Sequence, residues 1–271
     1  MADVRALIDR PVVYRLPNMD QVPVLKNITY ESVDGLDLQL DVYYPPAASP
    51  AFPPPVVLLI PGPAPQDLMQ HIKASVVFVS WAQLFACSGM AAITCWHRAP
   101  IAEHPEAASD VDALINYVHT HPAALNIDGD RMGVFAFSGA PPYGLRSVLR
   151  DSPQFIHAVA AYYGVMDLQQ SHAAFPPEIS DEYLQEFSAV HYLGLHPTPL
   201  PPILVVKAGQ DKPWLNHSID NFVASALEHN VALELMTHPK GRHGFDTADD
   251  DARSRQIIRR TLRFFSEQLE D

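Results

Sequence analysis

The stretch Val56-Val57-Leu58-Leu59-Ile60 is a run of five apolar residues that ends abruptly at Pro61-Gly62-Pro63-Ala64-Pro65. A strand that buries only one face alternates apolar and polar residues, because successive side chains point to opposite faces of the sheet. A continuous apolar run is typical of a strand buried on both faces, in a parallel sheet that helices cover. Residues 56–60 are therefore predicted to form a central strand of an α/β fold.

The segments on either side repeat this pattern of short strands and helices. Asn27–Val33 and Leu36–Tyr43 alternate around the turn sequence Asp34-Gly35 and predict an antiparallel hairpin. The later predicted strands are Met90–Trp96, Met132–Phe137, Ala158–Tyr163, Ile203–Val206 and Val231–Met236, and the predicted helical segments are Ser75–Cys87, Glu106–His119, Gly144–Arg150, Asn216–Glu228 and Ala252–Leu269. This order predicts a doubly wound, mostly parallel sheet of about eight strands, with helices on both faces and the hairpin at its leading edge.

Composition excludes several classes of protein. A chain that is 48% hydrophobic and 18% charged is too apolar to be disordered, and 271 residues suit one α/β domain over 1–271, with an N-terminal extension over 1–26. The net charge of -13 opposes binding to nucleic acid and to anionic membranes. Cys87 and Cys95 are too few for a disulfide framework or a structural zinc site, and we expect buried free thiols.

Two segments bear on whether the protein is secreted or spans a membrane. Residues 1–10 mix charges of both signs and lack the apolar core of a signal peptide, so we expect a cytoplasmic protein. Residues 74–96 carry no charge and are long enough to suggest a membrane span. However, Ser88-Gly89 divides them, which predicts a helix followed by a strand.

The segment 169–202 interrupts the alternation, with several prolines and one short helical piece near Ile179–Phe187. Insertions after a late strand often cover an active site as a lid. A surface loop without such a function explains the segment equally well.

Ligands of open α/β sheets bind at the carboxyl ends of the strands, so the residues that follow each strand are the candidates for chemistry. Ser138 follows one predicted strand within Ala136-Phe137-Ser138-Gly139-Ala140, a strand-to-helix turn with small residues around the serine. The pattern is that of a nucleophile elbow, G-x-S-x-G, with alanine at both outer positions.

Two further strands end in residues that would complete a catalytic triad. Asp211 follows residues 203–206 and His243 follows residues 231–236, so Ser138, Asp211 and His243 occur in the order serine, acid, histidine. In such a triad the histidine takes the serine proton and the acid orients the imidazole. Asp167 is the alternative acid and His238 the alternative base. Helix capping would explain Asp167, and the glycines around His243 favour it over His238.

These residues and their flanks resemble the α/β-hydrolase superfamily, and within it the dienelactone-hydrolase-like and small serine carboxylesterase branch. The likeness covers most of the chain from about Asn27 onward. It is carried by Leu38–Pro45, Val57–Gly62, Trp96–Arg98, Ile127–Val134, Ala136–Ala140, Gly209–Asp211 and His243–Phe245. The resemblance implies hydrolysis of carboxylic esters without a metal or organic cofactor. Dienelactone hydrolases have cysteine at the position of Ser138, so the serine favours a serine esterase.

The oxyanion hole departs from the family pattern. Many relatives have His-Gly-Gly where this chain has Pro61-Gly62-Pro63, and Pro63 has no N–H to donate. Gly139 is expected to supply one donor, and Ala64 or Gly62 the second. A different loop path or an incomplete hole is the remaining alternative.

Several aromatic and histidine side chains are candidate substrate contacts, and core packing or loop anchoring explains each of them equally well. They are Trp81, His97, Tyr143, Tyr163 and Trp214. No metal site is predicted: His119 and His121 do not share a helix face, and Asp128-Gly129-Asp130 lacks the other ligands of a calcium loop.

The sequence thus predicts a serine hydrolase that cleaves small-molecule esters with small to medium acyl groups. Thioesterase, lactonase and peptidase activities are the alternatives among enzymes. A noncatalytic or weakly active binding protein on a hydrolase scaffold is the alternative from another class, favoured by Pro63. The sequence leaves a homo-oligomeric state open.

Overall fold

The computed structural model describes residues 4–98, 106–170, 179–195 and 199–270. Within these ranges eight strands form one sheet. The strands are β1 Val24–Val33, β2 Leu36–Tyr43, β3 Pro55–Ile60, β4 Ala91–Cys95, β5 Asp128–Phe137, β6 Ile156–Tyr162, β7 Ile203–Ala208 and β8 Leu233–His238. The helices in the same ranges are α1 Val4–Ile8, α2 Gln66–Ile72, α3 Val76–Cys87, α4 Glu106–Thr120, α5 Pro122–Leu125, α6 Pro141–Gly144, α7 Arg146–Asp151, α8 Asp181–Glu186, α9 Pro213–Glu228, α10 Phe245–Ala248 and α11 Ala252–Leu269.

The spatial order of the sheet is β1-β2-β4-β3-β5-β6-β7-β8. β1 and β2 form the predicted antiparallel hairpin, and β2 is also antiparallel to β4. The other neighbouring strands pair in parallel. The prediction of a doubly wound, mostly parallel sheet with a leading hairpin is confirmed, and β3, β4, β5, β6, β7 and β8 all end at the same edge.

The apolar run 56–60 occupies the centre of this sheet. Every residue of the run is fully buried, and it pairs with β4 on one side and with β5 on the other. Helices therefore cover both faces of this strand, as its continuous apolar sequence predicted. On one face α3 and α11 meet through Phe85 and Phe265, whose ring centroids lie 5.4 Å apart.

The uncharged run 74–96 is a helix followed by a strand, as predicted. α3 ends at Cys87, Gly89 takes a φ of 89° in the turn, and β4 begins at Ala91. No helix in the described ranges is both long and apolar enough to cross a membrane.

Several boundaries differ from the sequence prediction. Residues 144–150 are not one continuous helical piece, because α6 ends at Gly144 and α7 begins at Arg146. β8 runs two residues beyond Met236, since Thr237 and His238 pair with the end of β7. The short helices α2 and α10 have too few residues for a periodic apolar pattern, and the sequence did not indicate them.

The insertion 169–202 is described only in part. It contains α8 and a 3-10 turn at Ala189–Tyr192. Residues 171–178 and 196–198 lie outside the described ranges, so a lid function of this segment stays a prediction.

A buried ion pair attaches the loop after α2 to the hairpin. The Lys73 ammonium lies 2.6 Å from Asp41 Oδ1 on β2 and 2.8 Å from Asn27 Oδ1 on β1. Asn27 takes a φ of 59° in a β-bulge and donates its N–H to the same Asp41 oxygen at 2.7 Å. Because the Lys73 and Asp41 residues are only 6% and 2% exposed, removal of one partner would leave the other buried without a counterion.

We expect Lys73→Met to lower the free energy of unfolding by about 3–5 kcal/mol, because the Asp41 carboxylate would lose its counterion in a buried position. The control is Arg255→Ala, which removes an exposed pair with Asp250 and should cost less than about 1 kcal/mol. Urea unfolding of both variants measures the difference. Equal losses would contradict a stabilising role for the buried pair.

Candidate active site

Ser138 follows β5 directly and takes a φ of 57°, in the left-handed region that non-glycine residues seldom adopt. The Ser138 carbonyl accepts a hydrogen bond from the Val165 N–H at 2.9 Å. Small neighbours are required here. A Cβ added to Gly62 would lie 2.9 Å from the Phe137 carbonyl oxygen and 3.1 Å from Ser138 Cβ, and one added to Gly139 would lie 2.5 Å from Pro63 Cδ. The sharp turn and its close packing are those of a nucleophile elbow.

Ser138, His243 and Asp211 form a continuous hydrogen-bonded chain. Ser138 Oγ lies 2.8 Å from His243 Nε2, and His243 Nδ1 lies 2.5 Å from Asp211 Oδ2. The Asp211 side chain is only 2% exposed, and its other oxygen accepts the Lys212 N–H at 2.7 Å. The carboxylate is thereby fixed, and it orients the imidazole with Nε2 toward the serine hydroxyl.

The loops that carry Asp211 and His243 are joined by backbone hydrogen bonds beyond the ends of β7 and β8. The Gly209 N–H donates to the His238 carbonyl, and the Gln210 N–H donates to the Gly241 carbonyl, both at 2.9 Å. A Cβ at Gly209 would lie 2.5 Å from the Pro239 carbonyl oxygen, so only glycine fits there. This pairing sets the separation of the acid and the histidine.

The alternative acid and base lie elsewhere. Asp167 accepts the backbone N–H of Gln169 at 2.9 Å and the side-chain amide of Asn221 at 2.5 Å, which is a capping and loop-fixing arrangement. His238 is buried, with Nε2 lying 3.1 Å from Ser254 Oγ at the start of α11. Within the described ranges neither residue is hydrogen-bonded to Ser138 or His243.

The loop after β3 is anchored by two of the residues singled out as substrate contacts. Tyr143 donates its hydroxyl to the Pro61 carbonyl at 2.9 Å, and the His97 ring lies beside Tyr143, with centroids 4.9 Å apart. Burial lowers the pKa of His97. Its Nδ1 lies 2.7 Å from the Arg98 carbonyl oxygen, and its Nε2 lies 3.3 Å from the Pro61 carbonyl oxygen. Both side chains are buried, which favours the loop-anchoring alternative for His97 and the core-packing alternative for Tyr143.

Trp81 and Tyr163 both donate to one buried carboxylate, Asp246. Trp81 Nε1 lies 2.8 Å from Asp246 Oδ2, and the Tyr163 hydroxyl lies 2.7 Å from Oδ1. Trp81 is therefore part of the core, whereas the Tyr163 ring also contacts the His243 ring, with centroids 4.6 Å apart. Trp214 is half-buried at the start of α9, with Lys212 Nζ 5.5 Å from its ring centroid.

Asp246 was not among the candidates from the sequence. Its only sequence signal is an acidic residue three positions after the histidine, beside the apolar Phe245. Burial raises the pKa of Asp246, and the hydrogen bonds from Trp81 and Tyr163 oppose that rise.

The residues considered and rejected as metal ligands are engaged in local structure. His119 Nδ1 lies 3.1 Å from the Gly129 carbonyl, His121 stacks on Tyr117, and Asp128 accepts from the Asp130 N–H at 3.0 Å. In the described part of the chain, no group of three or more His, Cys, Asp or Glu side chains is arranged to hold a metal ion.

Comparison with protein-family models gives no match, and comparison with curated protein sequences also gives none. Solved structures of esterases do match. The propionate-bound esterase Est2 of the planctomycete Thermogutta terrifontis superposes with a TM-score of 0.73 at 18% identity, over 93% of this chain and 96% of that one. The same esterase phosphoramylated by tabun gives 0.70 at 18% identity, over 94% and 96%. A truncated carbohydrate esterase from gut microbiota gives 0.73 at 19% identity, over 91% and 96%. At these identities the likeness shows that the chain shares the fold of these esterases.

Proposed function

We propose that the protein is a serine hydrolase that cleaves carboxylic esters of small to medium acyl groups through an acyl-enzyme on Ser138. The observation that carries the proposal is the Ser138–His243–Asp211 hydrogen-bonded chain, with the serine on a strained turn at the carboxyl edge of the sheet. Serine is a weak nucleophile until a base takes its proton. In this proposal His243 is that base, and the Asp211 carboxylate orients it.

The reaction proceeds in two halves. In the first, Ser138 Oγ attacks the ester carbonyl carbon while its proton passes to His243 Nε2, and Asp211 stabilises the imidazolium. The tetrahedral intermediate then collapses, and the alcohol leaves with the proton from His243. In the second half, His243 takes a proton from water, the resulting hydroxide attacks the acyl group, and the carboxylic acid leaves as Ser138 regains its proton.

The negative oxygen of the intermediate requires N–H donors, and we assign this role to two backbone groups. Gly139 follows the nucleophile, and its N–H has no acceptor within the described residues. In the described part of the chain the N–H groups of Gly62 and Ala64 likewise have no acceptor, and Ala64, which is 8% exposed, is the more buried of the two. Buried N–H groups are seldom left without a partner, so an unused one favours a ligand-binding role.

Structural likeness supports an ester substrate with a short acyl group. The Thermogutta esterase, which shares the fold, was solved with propionate and with butyrate bound, and as a paraoxon-phosphorylated adduct. The dienelactone-hydrolase-like branch remains a proposal that rests on sequence stretches alone. A noncatalytic binding protein is the second candidate, favoured by the missing donor at Pro63.

Ser138→Ala should abolish labelling by a fluorophosphonate probe and lower the hydrolysis of p-nitrophenyl acetate and butyrate by more than about 10⁴-fold, because no other group replaces the nucleophile. Ser32→Ala, at an exposed serine on β1, serves as the control and should match the wild type. A wild type that neither labels nor turns over would favour the binding protein, and unchanged turnover in Ser138→Ala would reject Ser138.

The value of kcat/KM should rise between pH 5 and 8. A protonated imidazole cannot accept the serine proton, so activity is lost as the pH falls. Initial rates with p-nitrophenyl acetate, corrected for spontaneous hydrolysis, measure the profile. A flat profile over this range would argue against a histidine base.

Gly62→Ala should lower kcat by roughly 100-fold, because the added Cβ would push the loop away from the Phe137 carbonyl and the Ser138 side chain and so displace the second donor. Gly129→Ala is the matched control, since its Cβ would lie 3.1 Å from another backbone carbonyl, that of His119, at the opposite end of β5. Thermal unfolding checks that both variants fold. Equal activities would exclude a catalytic part for the loop.

A further inference from the structure

Asp246 is a fully buried carboxylate outside the Ser138–His243–Asp211 chain. Each of its oxygens accepts one hydrogen bond, Oδ1 from Tyr163 and Oδ2 from Trp81. A carboxyl group that accepts at both oxygens and donates at neither has the hydrogen-bond pattern of an ionised carboxylate. Burial of a charged group is costly. We therefore looked for a role of the Asp246 carboxylate in the adjacent candidate site.

Tyr163 connects this carboxylate to the histidine. It follows β6 with a φ of 39°, and its N–H donates to the Val206 carbonyl at 2.7 Å. The backbone is therefore fixed, and the hydroxyl bond to Asp246 fixes the far end of the ring. Between these two anchors the ring contacts the imidazole of His243 at 4.6 Å between centroids, with the planes inclined by 54°.

The N-terminal segment fixes the backbone of the same loop from the other side. The Val13 N–H donates to the Asp246 carbonyl at 2.8 Å. Leu7 fills the space beside Gly244, where an added Cβ would lie 2.8 Å from Leu7 Cδ2. Both the side chain and the main chain of Asp246 are thus tied to elements distant in sequence.

We propose that Asp246 is a positioning residue for His243: its carboxylate holds the Tyr163 ring against the imidazole and keeps Nε2 directed at the reacting atoms. The inference rests on the proposed function. The hydrogen bonds to Asp211 and Ser138 hold the two ring nitrogens, Nδ1 and Nε2, but they do not fix the tilt of the imidazole plane about the line between those atoms. The Tyr163 ring blocks this movement on one face of the imidazole.

Electrostatics act in the same direction. Burial raises the pKa of Asp246, and the attraction between its carboxylate and a positive charge on His243 opposes that rise. The reaction forms an imidazolium at His243 in each half, so a nearby buried carboxylate stabilises the state that develops during the reaction. Asp211 is the other carboxylate that faces His243.

The experiment compares Tyr163→Phe with Tyr162→Phe in the full-length protein, using p-nitrophenyl butyrate. Each substitution removes one buried hydroxyl and keeps the ring. Among the described residues, the Tyr162 hydroxyl is hydrogen-bonded to Thr261, at 2.6 Å, and not to Asp246. We expect kcat of Tyr163→Phe to fall about tenfold with KM within about twofold, as small misplacements of a catalytic group typically lower the rate. Tyr162→Phe should lose thermal stability with kcat within about twofold of the wild type.

Asp246→Asn, alone and combined with Tyr163→Phe, tests whether Asp246 acts on His243 through Tyr163. If Asp246 acts through Tyr163, kcat of the double variant should equal that of Asp246→Asn alone, because residues that act as one unit are not additive. Equal kcat in Tyr163→Phe and Tyr162→Phe, or fully additive losses in the double variant, would overturn the inference and leave the proposed function standing. A wild type without Ser138-dependent turnover would overturn both.

Discussion

The loop after β3 and the turn at Ser138 pack against each other so closely that neither can carry a larger side chain. The Pro63 ring fills the space beside Gly139, and Gly62 lies against the Phe137 carbonyl and Ser138 Cβ. A left-handed non-glycine residue costs of order 1–3 kcal/mol, which the surrounding structure has to offset. Here the loop contact and the hydrogen bond from Val165 to the Ser138 carbonyl do so. The direction of the serine hydroxyl therefore depends on a contact between two loops that are far apart in sequence.

Asp211 and His243 are held by backbone pairing that extends the sheet beyond the ends of β7 and β8. β7 and β8 pair as far as Ala208 and His238, and two backbone hydrogen bonds continue this pairing into the loops. Asp211 and His243, 32 positions apart, are thereby placed side by side. Since parallel strands bring their carboxyl ends to one edge, each loop can contribute one group, and the sheet itself aligns them.

This geometry explains which features the sequence could predict. The run 56–60 predicts a central strand because burial on both faces leaves no polar alternation, and Ser138, Asp211 and His243 could be proposed because each follows a strand. The end of β8 was harder to predict. Thr237 is exposed and breaks the apolar pattern, so the sequence ended the strand at Met236, whereas backbone pairing carries it through His238.

Asp246 could not be found in this way, because its role depends on partners that no local pattern connects. Trp81 and Tyr163 are 165 and 83 positions away along the chain. Each of these aromatic residues reads as a core or pocket residue, and only the packing of α3 and the end of β6 against the histidine loop brings their polar atoms to one carboxylate. The same holds for Tyr143, whose hydroxyl finds the Pro61 carbonyl 82 positions before it. Buried polar contacts of long range are the part of the site that sequence reasoning missed.

The lack of an N–H in proline has no cost at some positions of this structure and removes possible donors at others. Pro122, Pro141 and Pro213 stand in the first turns of α5, α6 and α9, where the missing N–H has no partner in any case. In the loop 61–65 three of five residues are prolines, so only Gly62 and Ala64 have an N–H to donate. Proline also fixes φ, and a loop that is stiff before substrate binds has less conformational entropy to lose on ordering. Stabilisation of a developing oxyanion depends on donors that are already in place. A proline-rich loop thus offers fewer donors than a glycine-rich one, but it holds those that remain in a fixed position against the elbow.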